Sequence, residues 1–158
     1  MRAWAGLDLS QPPSTFLKHR HDYGRVLSAT GATVTISSGN TDNLPHLLSG
    51  TCPRPFAFHT DNETNPWVQI DLGREAALTG ILIGNRTDCC QERAENLRLQ
   101  VSNDGRQWQE IWKAKSIEPS WEIPLRDQKI RTRYLRLDTR PTTPTPFHLH
   151  HIEVWGTE

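Results

Sequence analysis

Trp67-Val68-Gln69-Ile70-Asp71-Leu72-Gly73 decides the fold. Val68, Ile70 and Leu72 alternate with Gln69 and Asp71, the period of a strand with one face in a core and the other toward water. Working outward, the same texture recurs. Leu97, Leu99 and Val101 alternate with Arg98 and Gln100. Asn103-Asp104-Gly105 tolerates positive φ and predicts a hairpin turn before Trp108. Runs rich in β-branched and aromatic residues cover 33–37, 67–72, 78–85, 97–102, 107–113, 121–124, 133–138 and 148–155, with one short helical turn suggested at 45–48. Short strands at this spacing predict an all-β sandwich or jelly roll.

The chain has 158 residues, enough for one domain with a real core. Residues 1–24, with Pro12-Pro13 and Lys18-His19-Arg20-His21-Asp22, read as an arm, and 25–158 as the domain. Lys+Arg and Asp+Glu both number 18, so no bulk field favours nucleic acid or an anionic membrane. No apolar run approaches the roughly 20 residues that span a bilayer, and Met1–Leu7 is too short and too soon polar for a signal peptide. This predicts either a module from a longer chain or an intracellular protein. The sequons at Asn62 and Asn85 are taken as chance. Cys89 and Cys90 are adjacent. Neighbouring Cα atoms lie about 3.8 Å apart, closer than the roughly 4.4 Å that ordinary disulfides prefer. Taken alone, an adjacent Cys-Cys is usually two reduced thiols in a loop, with a strained bridge as the alternative.

The stretch Phe58-His59-Thr60-Asp61-Asn62-Glu63-Thr64-Asn65-Pro66-Trp67-Val68-Gln69-Ile70-Asp71-Leu72-Gly73 resembles the discoidin, or coagulation-factor type C, superfamily. Ser102-Asn103-Asp104-Gly105 with Trp108 matches its middle hairpin, and Ile152-Glu153-Val154-Trp155-Gly156 its closing strand. The likeness covers residues 25–157. His59, Arg86, Asp88 and Arg93, with Cys89-Cys90 between the last two, resemble the F-type lectin (fucolectin) branch. The resemblance implies a discoidin-like β-sandwich with a ligand site in the loops at one end. It also implies a site for terminal α-L-fucose on glycans and a Cys89–Cys90 disulfide touching the ligand.

Those residue types suit a neutral deoxyhexose, which offers hydroxyls, a ring oxygen and a methyl group but no charge. Arg86 and Arg93 each bring a rigid fork of donors. His59 can meet an axial hydroxyl, which separates fucose- and galactose-like configurations from gluco ones. Asp88 is expected to lie between the arginines and fix their directions. Phe56 and Phe58 are candidates for an apolar rim, one of them being expected in the core. Cys52 is left as a free thiol. Such a disulfide favours an extracellular or cell-surface setting, and oligomerisation or tethering would supply avidity.

Many members of the family carry a structural calcium, and the matching positions here are His46, Ser49, Thr51 and His151. Calcium prefers several carboxylate and carbonyl oxygens. This set argues against it, while leaving backbone carbonyls able to take a cation, and no cofactor is assigned. His148, His150 and His151 lack the companions of a metal site and are expected to be satisfied or solvated strand histidines. The basic residues of 126–140 are expected to form a solvated strand. No acid–base pair or nucleophile motif marks an enzyme. The alternatives are a module of a larger enzyme recognising a galactose-configured or other sugar, and a discoidin-type adhesion or protein-interaction domain.

Overall fold

A computed structural model describes residues 23–49 and 51–158. Residues 1–22 of the expected arm, His19 and His21 among them, lie outside the described residues. Among the described residues ten strands form an all-β sandwich: β1 (Arg25–Val26), β2 (Thr33–Ile36), β3 (Phe58–His59), β4 (Trp67–Gly84), β5 (Arg98–Ser102), β6 (Gln109–Lys113), β7 (Ser120–Pro124), β8 (Ile130–Asp138), β9 (His148–Leu149) and β10 (His151–Thr157).

The expected strands at 67–72 and 78–85 are one bent strand, β4. Its register with β8 shifts between Asp71 and Ala76, where Gly73 takes φ 82° and the chain turns over the core. The first half of β4 pairs with β2 and β8, β8 continues beyond the shift to Leu78, and the second half also pairs with β10 and β7. Val68, Ile70 and Leu72 point inward as the alternation requires, meeting Leu99, Leu135, Leu137, Ile81, Ile83, Ile123, Ile152 and Val154 in one apolar cluster. Each aliphatic side chain so buried contributes about 1.5–3 kcal/mol.

The turn after β5 forms as expected. Gly105 has φ 75°, and the Asp104 carboxylate accepts the N–H groups of Gln107 and Arg106, which draws its pKa down to about 2. The helical turn near 45–48 is a 3-10 turn over Leu44–His46.

Arg126, Lys129, Arg131 and Arg140 of the basic stretch are exposed, as a solvated strand requires, whereas Arg133 and Arg136 are half-buried. Arg133 binds Asp71 through Nε at 2.9 Å and a terminal nitrogen at 3.1 Å. Arg136 lies between the indoles of Trp67 and Trp108, with its guanidinium carbon 4.7 and 4.4 Å from their ring centres. Around Arg136 the outer face of β4 and β8 is therefore a planar stack, while Arg131 and Arg133 farther along β8 remain open to water.

Candidate sugar-binding site

The second half of β4 ends at Gly84, and the following segment carries Arg86 to Arg93. Asn85 is buried, and it fixes the start of this loop. Its side-chain amide donates to the carbonyls of Gln91 (3.2 Å) and Glu118 (3.0 Å), while its oxygen accepts the Arg86 N–H at 2.8 Å. The Gln91 amide donates back to the Arg86 carbonyl at 2.8 Å. Cys90 adopts φ 63°, a left-handed conformation that reverses the chain into the 3-10 turn Gln91–Ala94 and places Arg93 on it. Cys89 and Cys90 form a vicinal disulfide with Cα atoms 3.7 Å apart. Cys52 is a half-buried free thiol.

Arg86 is fastened from one edge. Its Nε donates to Asp88 Oδ1 at 2.6 Å and a terminal nitrogen to Oδ2 at 3.4 Å, which holds the Asp88 carboxyl below the usual carboxylate range. Asp88 does not bridge the two arginines: among the described residues it pairs with Arg86, and Arg93 makes no ion pair. The flat side of the Arg86 guanidinium rests on the Phe56 ring, 4.6 Å from its centre.

Phe56 arrives from a second loop, which Thr87 N–H ties to this one through the Pro55 carbonyl at 3.2 Å. Residues two apart share one face of a straight strand. The bend at Ala57 breaks that relation and puts Phe56 and Phe58 on opposite sides. Phe58 is 1% exposed and packs edge-on to Phe147 in the core, so it leaves the rim to Phe56.

His59 follows on β3 and stands opposite His148 of β9, the pair formed by Phe58 and Leu149 facing the core instead. His59 Nδ1 lies 2.9 Å from the Thr60 carbonyl. A carbonyl cannot donate, so Nδ1 carries the hydrogen and Nε2 of the neutral ring is an acceptor. The Phe56 ring centre is 5.3 Å from that of His59 and 6.3 Å from that of His148, and the two imidazoles are 5.3 Å apart.

His148 is the residue the sequence reading misjudged. It is neither solvated nor satisfied: it is 1% exposed, and among the described residues neither ring nitrogen finds a hydrogen-bond partner on another residue. Burial, then the charges of Arg86, His59 and Arg93, push its pKa down to about 3. The alternation of β9 could have placed it opposite Leu149, but its pairing with β3 spans a separation that no local pattern encodes.

The positions matching a calcium loop form a neutral network instead. Ser49 Oγ lies 3.2 Å from the His46 carbonyl and 3.1 Å from Thr51 Oγ1, and the Ile152 N–H binds the Leu47 carbonyl at 2.9 Å. His151 packs so closely over Gly84 that a Cβ there would fall 2.2 Å from its ring, and its Nδ1 meets His150 Nδ1 at 2.7 Å. Among the described residues no group of three His, Cys, Asp or Glu side chains could hold a metal. The donor set does not fit calcium, and direct hydrogen bonds hold the loop.

Residues 38–137 match the model of an F5/F8 type C family described as a NedA-like, galactose-binding domain. Fucolectin-1 of Anguilla japonica is 36% identical over 80 residues, covering 51% of this chain and 39% of that protein. The chain therefore spans well under two thirds of this relative. The structure of a fucolectin from Morone saxatilis serum superposes with a TM-score of 0.73 at 24% identity, over 85% of this chain and 50% of that one. A Streptococcus pneumoniae fucose binding module does so with a TM-score of 0.69 at 20% identity, over 85% and 99%. With the family model matching more than half its length, the chain belongs to the F5/F8 type C, galactose-binding-like family, with its resemblance there to the F-type lectins.

Proposed function

We propose that this chain is a non-catalytic carbohydrate-binding module that takes terminal α-L-fucose on glycans at the end of the sandwich formed by Arg86, Arg93, His59 and Phe56. The observation that carries this reading is the set of unspent hydrogen-bonding groups there. Arg93 has no ion-pair partner among the described residues, Arg86 is tied along one edge, and His59 keeps Nε2 as an acceptor. Guanidinium forks donate, a bare imidazole nitrogen accepts, and a hydroxyl does both, so the set matches a polyol without a formal charge. Phe56 and the Cys89–Cys90 bridge are the apolar surfaces for the methyl group and the ring edge. Asp88, the carboxylate beside them, is bound by Arg86 and is therefore not poised as a general acid or base. The fucolectin relatives and the likeness to a fucose binding module support fucose as the sugar.

One monosaccharide buries few groups, so a Kd on the order of 10 μM to 1 mM is expected, raised to useful avidity by tethering or association. The test is a glycan array on the intact and the reduced protein. Preference for fucosylated glycans supports the reading. A preference for galactose-terminated glycans lacking fucose would replace it with the galactose-configured alternative, and binding to none would remove the sugar reading.

A further inference from the structure

His148 occupies an unusual position for a buried imidazole. A neutral ring has one N–H donor and one bare acceptor, and burying either without a partner is costly. Apart from a weak contact with its own main chain, His148 finds a partner for neither among the described residues, although it is 1% exposed. Packing alone gives no reason for this, since an apolar ring would fill the same space without the penalty. Its surroundings are those of the sugar site. The rings of His59 and Phe56 lie against it, and the guanidinium charges of Arg86 and Arg93 bear on it.

Resting on the sugar-binding reading, we propose that His148 is a specificity-determining residue at the floor of that site. It exchanges a hydrogen bond with the ligand hydroxyl that penetrates deepest between Arg86 and Arg93, Phe56 being the cover that gives way. The chemistry selects a hydroxyl. The guanidinium groups donate only, whereas the bare nitrogen of His148 needs a donor. A hydroxyl can donate to His148 while accepting from an arginine. A carboxylate or phosphate can do only the second. Phe56 is the natural cover because it is half-buried, touches both imidazoles and also carries the Arg86 guanidinium.

The test uses His148→Phe, which keeps a ring and removes both nitrogens, and His148→Asn, which keeps a donor and an acceptor. Affinity of each for L-fucose and its monodeoxy derivatives is measured by calorimetry, with the fold checked by near-UV circular dichroism. His148→Phe is expected to remain folded and to bind fucose about tenfold more weakly. One monodeoxy derivative that binds poorly to the natural protein should bind His148→Phe no worse than fucose itself, and His148→Asn should restore part of the discrimination. If natural protein binds fucose and His148→Phe keeps both its affinity and its full deoxy pattern, His148 is only packing and the proposal is overturned. If His148→Phe does not fold, His148→Leu, which also removes both nitrogens, takes its place: an unchanged deoxy pattern overturns the proposal and loss of discrimination at one hydroxyl supports it. If the natural protein binds no sugar, the functional reading itself fails and this inference falls with it.

Discussion

Arginines on the sheet face and arginines at the loop end have different fates. On the sheet, Arg98 spends Nε and one terminal nitrogen on Asp138 at 2.9 and 2.7 Å, and its other terminal nitrogen on Glu110 at 3.0 Å. Arg136 is closed between two indoles and donates to Gln69 at 2.9 Å. At the loop end, Arg86 has one carboxylate, itself 46% exposed, and Arg93 has none among the described residues. A guanidinium cannot shed its charge, so its donors go either to the fold or to whatever comes from outside. The fold has enclosed the first pair, Arg98 by ion pairs and Arg136 between indoles with its Nε buried and without a partner among the described residues, and has left the second open to the outside.

The comparison breaks most sharply at Arg98. Asp138 is 2% exposed and receives Arg98 on both oxygens, with Asn65 Nδ2 adding a bond at 2.9 Å. Arg98→Ala leaves that carboxylate buried against one amide, and a loss of about 3–5 kcal/mol is expected in urea denaturation. A loss below about 1 kcal/mol would erase the distinction between the two sets. Sugar binding by whatever folded protein remains should be unaffected.

Next in size are Arg86→Ala and Arg93→Ala, with the opposite signature. Each should weaken fucose binding about a hundredfold, close to 3 kcal/mol, while the denaturation midpoint moves little. Arg86→Ala also frees Asp88, but an exposed carboxylate is readily hydrated. A variant that binds normally would remove that arginine from the site.

Some of this was legible in the chain. Period-2 alternation around Val68, Leu99 and Ile152 requires a half-buried strand wherever it occurs, so the sandwich could be read locally. The Arg86–Arg93 segment stood out through its resemblance to the F-type lectins, because adjacent cysteines and nearby arginines on their own leave both the bridge and the ligand open. The continuity of β4 was hidden, since Gly73 looks like a strand end and is instead a bend inside one. The Phe56–His148 contact was hidden for a different reason: it depends on β3 meeting β9, elements of two residues each with almost no periodicity of their own. The burial of Arg136 could be suspected from neither strand alone, because its two indoles come from distant positions.

A smaller effect separates the two regions by pH. The folded protein keeps His148 neutral down to about 3, whereas the unfolded chain takes the proton near 6.5. Below that upper value the unfolded state binds more protons, so stability is complete above it and falls as the pH drops toward the lower one. About 2 kcal/mol should be lost by about pH 5, from 1.36 kcal/mol per unit. His148→Phe should flatten this limb of a stability–pH curve measured by urea denaturation. Arg98, whose pKa is raised by its hydrogen bonds to Asp138, stays charged in that window, so an unchanged slope in the variant would assign the acid sensitivity elsewhere.

The smallest effect concerns the sulfur bridge. Cys89 and Cys90 are one residue apart, so their bond closes no length of chain and adds little of the unfolded-state restriction that makes other disulfides stabilising. The loop that carries them is held by Asn85 and Gln91 instead. Reduction, or the double change Cys89→Ser with Cys90→Ser, should therefore leave the denaturation midpoint nearly unchanged. Fucose affinity should fall about fivefold, near 1 kcal/mol, as the apolar wall becomes two mobile side chains. Cys52→Ser controls for the free thiol and should change neither quantity. Unchanged affinity after reduction would mean that the bridge shapes the loop without touching the sugar. A collapse in stability would mean that it belongs with Arg98 among the parts spent on the fold.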